Sequence, residues 1–245
     1  MPIGAVEFNW DRNALSSWNE LIQYLPQELN IFWRGVDYLR QWDQELNAVL
    51  TTEAESRYRT LFEVFHKQLY AVNDGNSVPI VQWILLGSLL EATMQIFLQV
   101  YLHDYNKSTW HQWVGFDRST VHDYLHKFLL KSKEEGIITK DQKDALKEAI
   151  DDKIKEHTKK QKIPQMMLNE LIQFYSDEQI LIGNNAKADI EMMRTIQKNR
   201  NSIHLILDRD ISDWDELREA VHFYGCLLNE FVSRFPGDFN MEVYQ

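Results

Sequence analysis

Five prolines and nine glycines in 245 residues leave this chain poor in the residues that make tight turns. Each β-hairpin tends to need Gly or Asn at its turn, so that scarcity excludes a fold of many short strands and favours long helices. A single cysteine, Cys226, excludes an intramolecular disulfide framework. It lies in the apolar run Phe223-Tyr224-Gly225-Cys226-Leu227-Leu228 and reads as a buried structural thiol rather than a nucleophile. No basic, then apolar, leader opens the chain, and with the missing disulfides this sets the expectation of a cytoplasmic protein.

Catalytic signatures are equally sparse. The sequence has no His-Glu-x-x-His, no paired cysteines and no calcium-loop pattern, so no metal and no cofactor is expected. It has no phosphate-cradling glycine loop and no Gly-x-Ser-x-Gly elbow, which leaves nucleotide hydrolysis and esterase chemistry without support. His122 and His126 are spaced for one helix face but have no obvious further ligand, and read as surface histidines. The net charge of −11 argues against extensive, non-specific nucleic-acid binding, which needs clustered Lys and Arg. A local basic cleft for one short RNA segment remains compatible with it.

Apolar residues make up 44% of the chain, with twelve Phe, ten Tyr and eight Trp, enough for a sizeable core. Their spacing predicts an all-α bundle of about nine helices. Helices are expected at 13–25, ended by Pro26, then at 28–50 and from Thr51 or Thr52 to 72. After a turn at 73–77 come helices at 80–103, from Ser119 to 135 with Gly136 as terminator, and from Thr139 to 158. Pro164 opens a short helix. The last two run from 186 to 207 and from Asp213 to Arg234, the latter with a capping pair at Ser212 and Asp215. Residues 1–75 are expected to form a helical extension, 79–235 the main bundle and 236–245 a tail. The apolar 80–103 segment has a membrane span's length, but Gln82, Glu91, Gln95 and Gln99 argue for a buried core helix and no membrane. Eleven lysines between Lys127 and Lys162 are interleaved with eight acidic residues, the pattern of a solvated face, with RNA contact concentrated, if anywhere, at Lys159–Lys162.

The stretch with chemistry is Lys198-Asn199-Arg200-Asn201-Ser202-Ile203-His204. On a helix at about 100° per residue, Arg200 and His204 share a face at the border of the apolar stripe of Met192, Ile196, Ile203 and Leu207, while Lys198 points away. Metal-free RNA cleavage needs a group that moves a proton between a ribose 2′-hydroxyl and a leaving 5′-oxygen, and histidine titrates in the right range. It also needs a cation for the charge growing on the phosphoryl oxygens, which arginine's fork suits. Arg200 and His204 are therefore the candidate catalytic pair, with Asn201 positioning the phosphate or the arginine. Arg194 and Gln197, earlier on the same helix, and Glu91 are candidate substrate contacts. Glu91 reads equally as a core-edge carboxylate satisfied by an arginine elsewhere.

Arg200-Asn201-Ser202-Ile203-His204 resembles the Arg-Asn…His signature of HEPN domains. Leu85-Leu86-Gly87-Ser88-Leu89-Leu90-Glu91 looks like that family's opening helix, and Lys131-Ser132-Lys133-Glu134-Glu135-Gly136-Ile137-Ile138 like its mid-domain helix end. The resemblance covers roughly 79–235. It implies an α-bundle that dimerises so that two Arg/His motifs face each other. Many members are metal-independent endoribonucleases of toxin–antitoxin, abortive-infection or other antiviral systems, so RNA would be the substrate and an antitoxin or regulatory protein a partner. Other members are binding modules without nuclease activity. Three residues separate Arg200 from His204, where the family usually has four to six.

Overall fold

A computed structural model describes residues 18–70, 78–108, 110, 118–158, 162–181, 186–201 and 211–236. Among them it shows ten α-helices and no strand. These are α1 (Trp18–Trp42), α2 (Gln44–Val49), α3 (Thr52–Leu69), α4 (Ile80–Val100), α5 (Leu102–Tyr105), α6 (Arg118–Glu134), α7 (Lys140–Thr158), α8 (Leu168–Asp177), α9 (Ala186–Arg200) and α10 (Trp214–Ser233). The expected lead-in at 1–10, the turns at 73–77 and 183–185, most of the 110–118 loop, Lys159–Gln161, the continuation of α9 to 207 and the tail from 237 lie outside the described residues.

The chain forms two compact units, one of Met1–Leu102 with Met167–Gln245, the other of His103–Met166. The division thus falls elsewhere than the expected boundary at 75–79. α1 packs along α10, and α3 packs on α4, within the first unit. The physical reason is the stripe of Leu21, Leu25, Leu29, Phe32, Trp33 and Val36 on α1, all buried. Too apolar to stand as an exposed extension, it is covered by the matching stripe of α10, Leu217, Val221, Tyr224, Leu228, Phe231 and Val232. Phe97 of α4 stacks on Phe231 with ring centroids 4.1 Å apart, so α4 closes the same core.

Pro26 does not end a helix, contrary to expectation; α1 runs through it. Proline lacks the N–H that would bond the carbonyl four residues back, which leaves the Ile22 carbonyl without its helical partner. His66 of α3 supplies one, its Nε2–H donating to Ile22 O at 2.8 Å. An imported donor satisfies the group that would otherwise break the helix.

Other starts and stops follow local chemistry. Thr51 caps α3, accepting from Ala54 N–H. Thr139 and Gln142 cap α7 reciprocally, at 3.2 and 3.0 Å. Pro164 opens only a 3-10 turn, Ile163–Gln165, and the helix proper starts at Leu168. Asp213, not Ser212, caps α10, its carboxylate accepting from Asp215 and Glu216 N–H.

α4 is the central helix of the first unit, in contact with α3, α8, α9 and α10. By length and composition it could cross a membrane, and 56% of that apolar window is buried inside the protein. Its Thr93 joins Tyr58 of α3 and Tyr224 of α10 in a buried hydroxyl cluster. Burial pushes the Tyr58 hydroxyl up to about 12, so it stays protonated within the cluster.

Candidate functional site

α9 carries the candidate residues against α4. Its inner face is Met192, Met193, Ile196 and Asn199, all buried, while Lys198 is exposed on the other side, as the helical projection requires. Arg200 is the last residue of α9 and lies at the edge of the buried face. Two features of α4 fix it.

The first is Gly87. A Cβ there would lie 2.7 Å from Arg200 Cδ, 2.8 Å from its Cβ and 3.0 Å from its Cγ. The arginine stem therefore rests on bare helix backbone, and any side chain at position 87 would displace it. The second is Glu91, one helical turn further on. Arg200 Nη1 donates to Glu91 Oε2 at 2.6 Å, with both side chains partly buried. The same oxygen accepts the N–H of Leu168, first residue of α8, at 2.8 Å. One carboxylate oxygen thus joins α4, α8 and α9, with its negative charge at the positive end of α8. Glu91, read from sequence as either a substrate contact or a core-edge carboxylate, is the ion-pair partner of Arg200.

Asn199, next to Arg200, is fully buried and makes three further bonds. Its Nδ2 donates to Thr195 O at 3.0 Å and to Ser212 Oγ at 2.9 Å, and its Oδ1 accepts Ser212 N–H at 2.9 Å. Trp83 of α4 donates from Nε1 to Ser212 O at 3.1 Å. Ser212 is thereby held to α9 and α4 just before α10 begins. The chain between Asn201 and Ile211 leaves and returns at one place, the end of α9.

His204 falls in that interval, outside the described residues, so the Arg200–His204 pair has no measured geometry. Covalent reach alone keeps their Cα atoms within about 14 Å, at no more than 3.6 Å per residue. Asn201 forms the turn that ends α9 and is half-buried. Arg194 is exposed and reaches α8, where its Nη2 donates to Gln173 Oε1 at 3.2 Å. Gln197 is half-buried on the intermediate face. Sequence reading missed three residues of this arrangement, namely Gly87, Trp83 and Asn199. Only Asn199 left a signal, as an amide on the apolar stripe directly before Arg200, where a buried polar side chain needs partners.

Two other clusters bear on chemistry. Cys226 lies within 3.7 Å of His222 Nε2 on α10, lining a groove of about 470 Å³ with Tyr24 and Gln27. Burial, then the charge of Glu28, pushes its thiol up to about 11, so at neutral pH it is a protonated, poor nucleophile, and it is half-buried rather than buried as the sequence suggested. Glu28 itself is buried, and desolvation raises its carboxyl above the usual range. Among the described residues no group of three or more His, Cys, Asp or Glu side chains is placed to hold a metal ion. The chain matches no protein-family model, no curated protein and no solved structure.

Proposed function

We propose that the chain is a HEPN-like, metal-independent endoribonuclease of a toxin or antiviral-defence system, cytoplasmic, with a composite Arg/His site completed by a second copy. One observation carries the reading. An arginine at the exit of α9 is seated on a glycine backbone and clamped by a carboxylate that also anchors α8, four residues before a histidine in a segment tied back at Ser212. Such seating pre-organises a cation for a phosphate, so that little conformational entropy is lost when substrate arrives. In this reading Arg200 stabilises charge on the scissile phosphate and His204 moves the proton. Asn201, Arg194 and Gln197 contact the RNA around them, and Glu91 orients Arg200 rather than touching substrate.

The test is incubation of the purified chain with RNA in excess EDTA, beside Arg200→Ala and His204→Ala. Cleavage is expected in the wild type and a fall of about 10²- to 10⁴-fold in each variant, the range of a lost acid–base or charge-stabilising group. Cutting that survives both substitutions would remove the site assignment.

A second reading, a non-catalytic HEPN-like binding module, is favoured by a different observation. Glu91 already neutralises Arg200, and the net charge of −11 repels RNA at long range. It predicts a stable complex with a regulatory protein partner and no RNA turnover at any enzyme concentration.

A further inference from the structure

The first unit holds a carboxylate that its own fold leaves half answered. Glu28 of α1 is 3% exposed, and its Oε2 is sealed from solvent with no hydrogen-bond partner. A buried ionised oxygen is costly unless a cation or a donor meets it. Among the described residues the Tyr24 hydroxyl, one helical turn earlier, donates to this carboxyl and leaves Oε2 over. Tyr24 lines the groove of about 470 Å³ between α1 and α10, and so does Cys226, on which the Glu28 charge acts across the interface of the two helices. Glu28 therefore stands at the inner wall of that groove, behind the Tyr24 ring. The rest of the lining, which includes Glu20, Leu21, Gln27 and His222, has no lysine or arginine.

We propose that this groove binds an alkylammonium group, the head of a lysine side chain or of a small free amine. Charge selects a cation. The residues of the first unit hold thirteen Lys and Arg against twenty-six Asp and Glu, so positive ligands are drawn to it at long range. The donor set then selects among cations. Cys226 and His222 come within 3.7 Å of each other, but among the described residues no third His, Cys, Asp or Glu joins them, which leaves a metal ion underprovided. A guanidinium is held best by both oxygens of one carboxylate, and Tyr24 already occupies this one. An ammonium is a compact charge with rotatable donors, and a single open oxygen suits it. The Tyr24 ring, 42% exposed, turns aside to admit it and offers the charge an aromatic face. Leu21 meets the alkyl stem. The groove's volume falls within the few hundred Å³ usual for small-molecule sites.

The site uses neither Arg200 nor His204, so its fate is independent of the nuclease reading. The probes are n-butylammonium and the capped tripeptide acetyl-Gly-Lys-Gly-amide, each titrated to about 20 mM against the full chain and followed by ligand-detected NMR. A Kd of about 1 mM or below is expected for at least one of them, an affinity that a handful of heavy atoms can supply. A tripeptide that binds more tightly than n-butylammonium assigns the groove to a lysine of a partner protein; otherwise the ligand is a free amine. Glu28→Gln, which keeps the shape of the side chain and removes its charge, should weaken binding at least tenfold with unchanged helical circular dichroism. His222→Trp, which fills the groove and leaves the carboxylate in place, should do the same. Glu63→Gln, exposed on α3, should bind like the wild type. The proposal is overturned if neither probe binds, if uncharged n-butanol binds as well as n-butylammonium, or if Glu28→Gln binds like the wild type.

Discussion

α6 and α8 stop in the same way, and the residue that follows meets opposite fates. Gly136 ends α6 with φ +73°, and Ile137 N–H donates back to Ser132 O at 2.9 Å. Gln179 ends α8 with φ +51°, and Ile180 N–H donates back to Tyr175 O at 3.0 Å. Both are left-handed closures in which an amide reaches back to a carbonyl five residues earlier. Yet Ile180 is fully buried while Ile137 is 68% exposed. Termination is thus settled within half a dozen residues, whereas burial depends on what the rest of the chain brings to the place. In the first unit α8 packs against α4 and α9; in the second α6 and α7 pack on each other.

The largest way to sharpen this contrast is Ile180→Ala, which opens a cavity in a filled core and should cost about 2–5 kcal/mol in denaturant unfolding. The same truncation at Ile137 is the matching control. A loss as large at Ile137 would mean that its surroundings are as packed as those of Ile180. Next in size is Gly136→Ala. A Cβ there meets no atom within 4 Å, so the penalty is purely that of an L-residue at positive φ, about 1–2 kcal/mol, read as a lowered thermal midpoint. Gln179→Gly should act in reverse, relieving the same strain at Gln179 and raising stability by up to about 1 kcal/mol; a loss would show that the glutamine side chain contributes more than its backbone costs. The smallest change is Ile137→Ala itself, expected within about 0.5 kcal/mol of wild type.

Much of the architecture was legible from residue spacing. The α10 stripe, the Thr51 and Thr139 caps and the Gly136 stop rest on contacts between near neighbours in sequence, which periodicity and capping chemistry report directly. Pro26 was misread because its rescue comes from His66, forty residues away, and a broken local rule says nothing about a distant donor. The compact units divide after Leu102 and Met166 rather than near 75 for a related reason. An apolar stripe states that it must be covered, not by which helix. At the candidate site, Arg200 and Glu91 were both singled out, but their pairing at 2.6 Å spans 109 residues. Gly87 carried no sign of its role, since a glycine inside a helix looks the same whether it marks a weak point or a seat for another residue's stem.

The bond from His66 to the Ile22 carbonyl has a dynamic consequence for the first unit. A helix interrupted by proline hinges at the carbonyl it has orphaned, and here that carbonyl is fastened to α3. Motion of α1 about Pro26 therefore requires α3 to release its histidine, so the two halves of α1 and the end of α3 open together. Their amide protons should exchange with solvent as one cooperative block, although the sequence assigns them to separate helices on either side of a break.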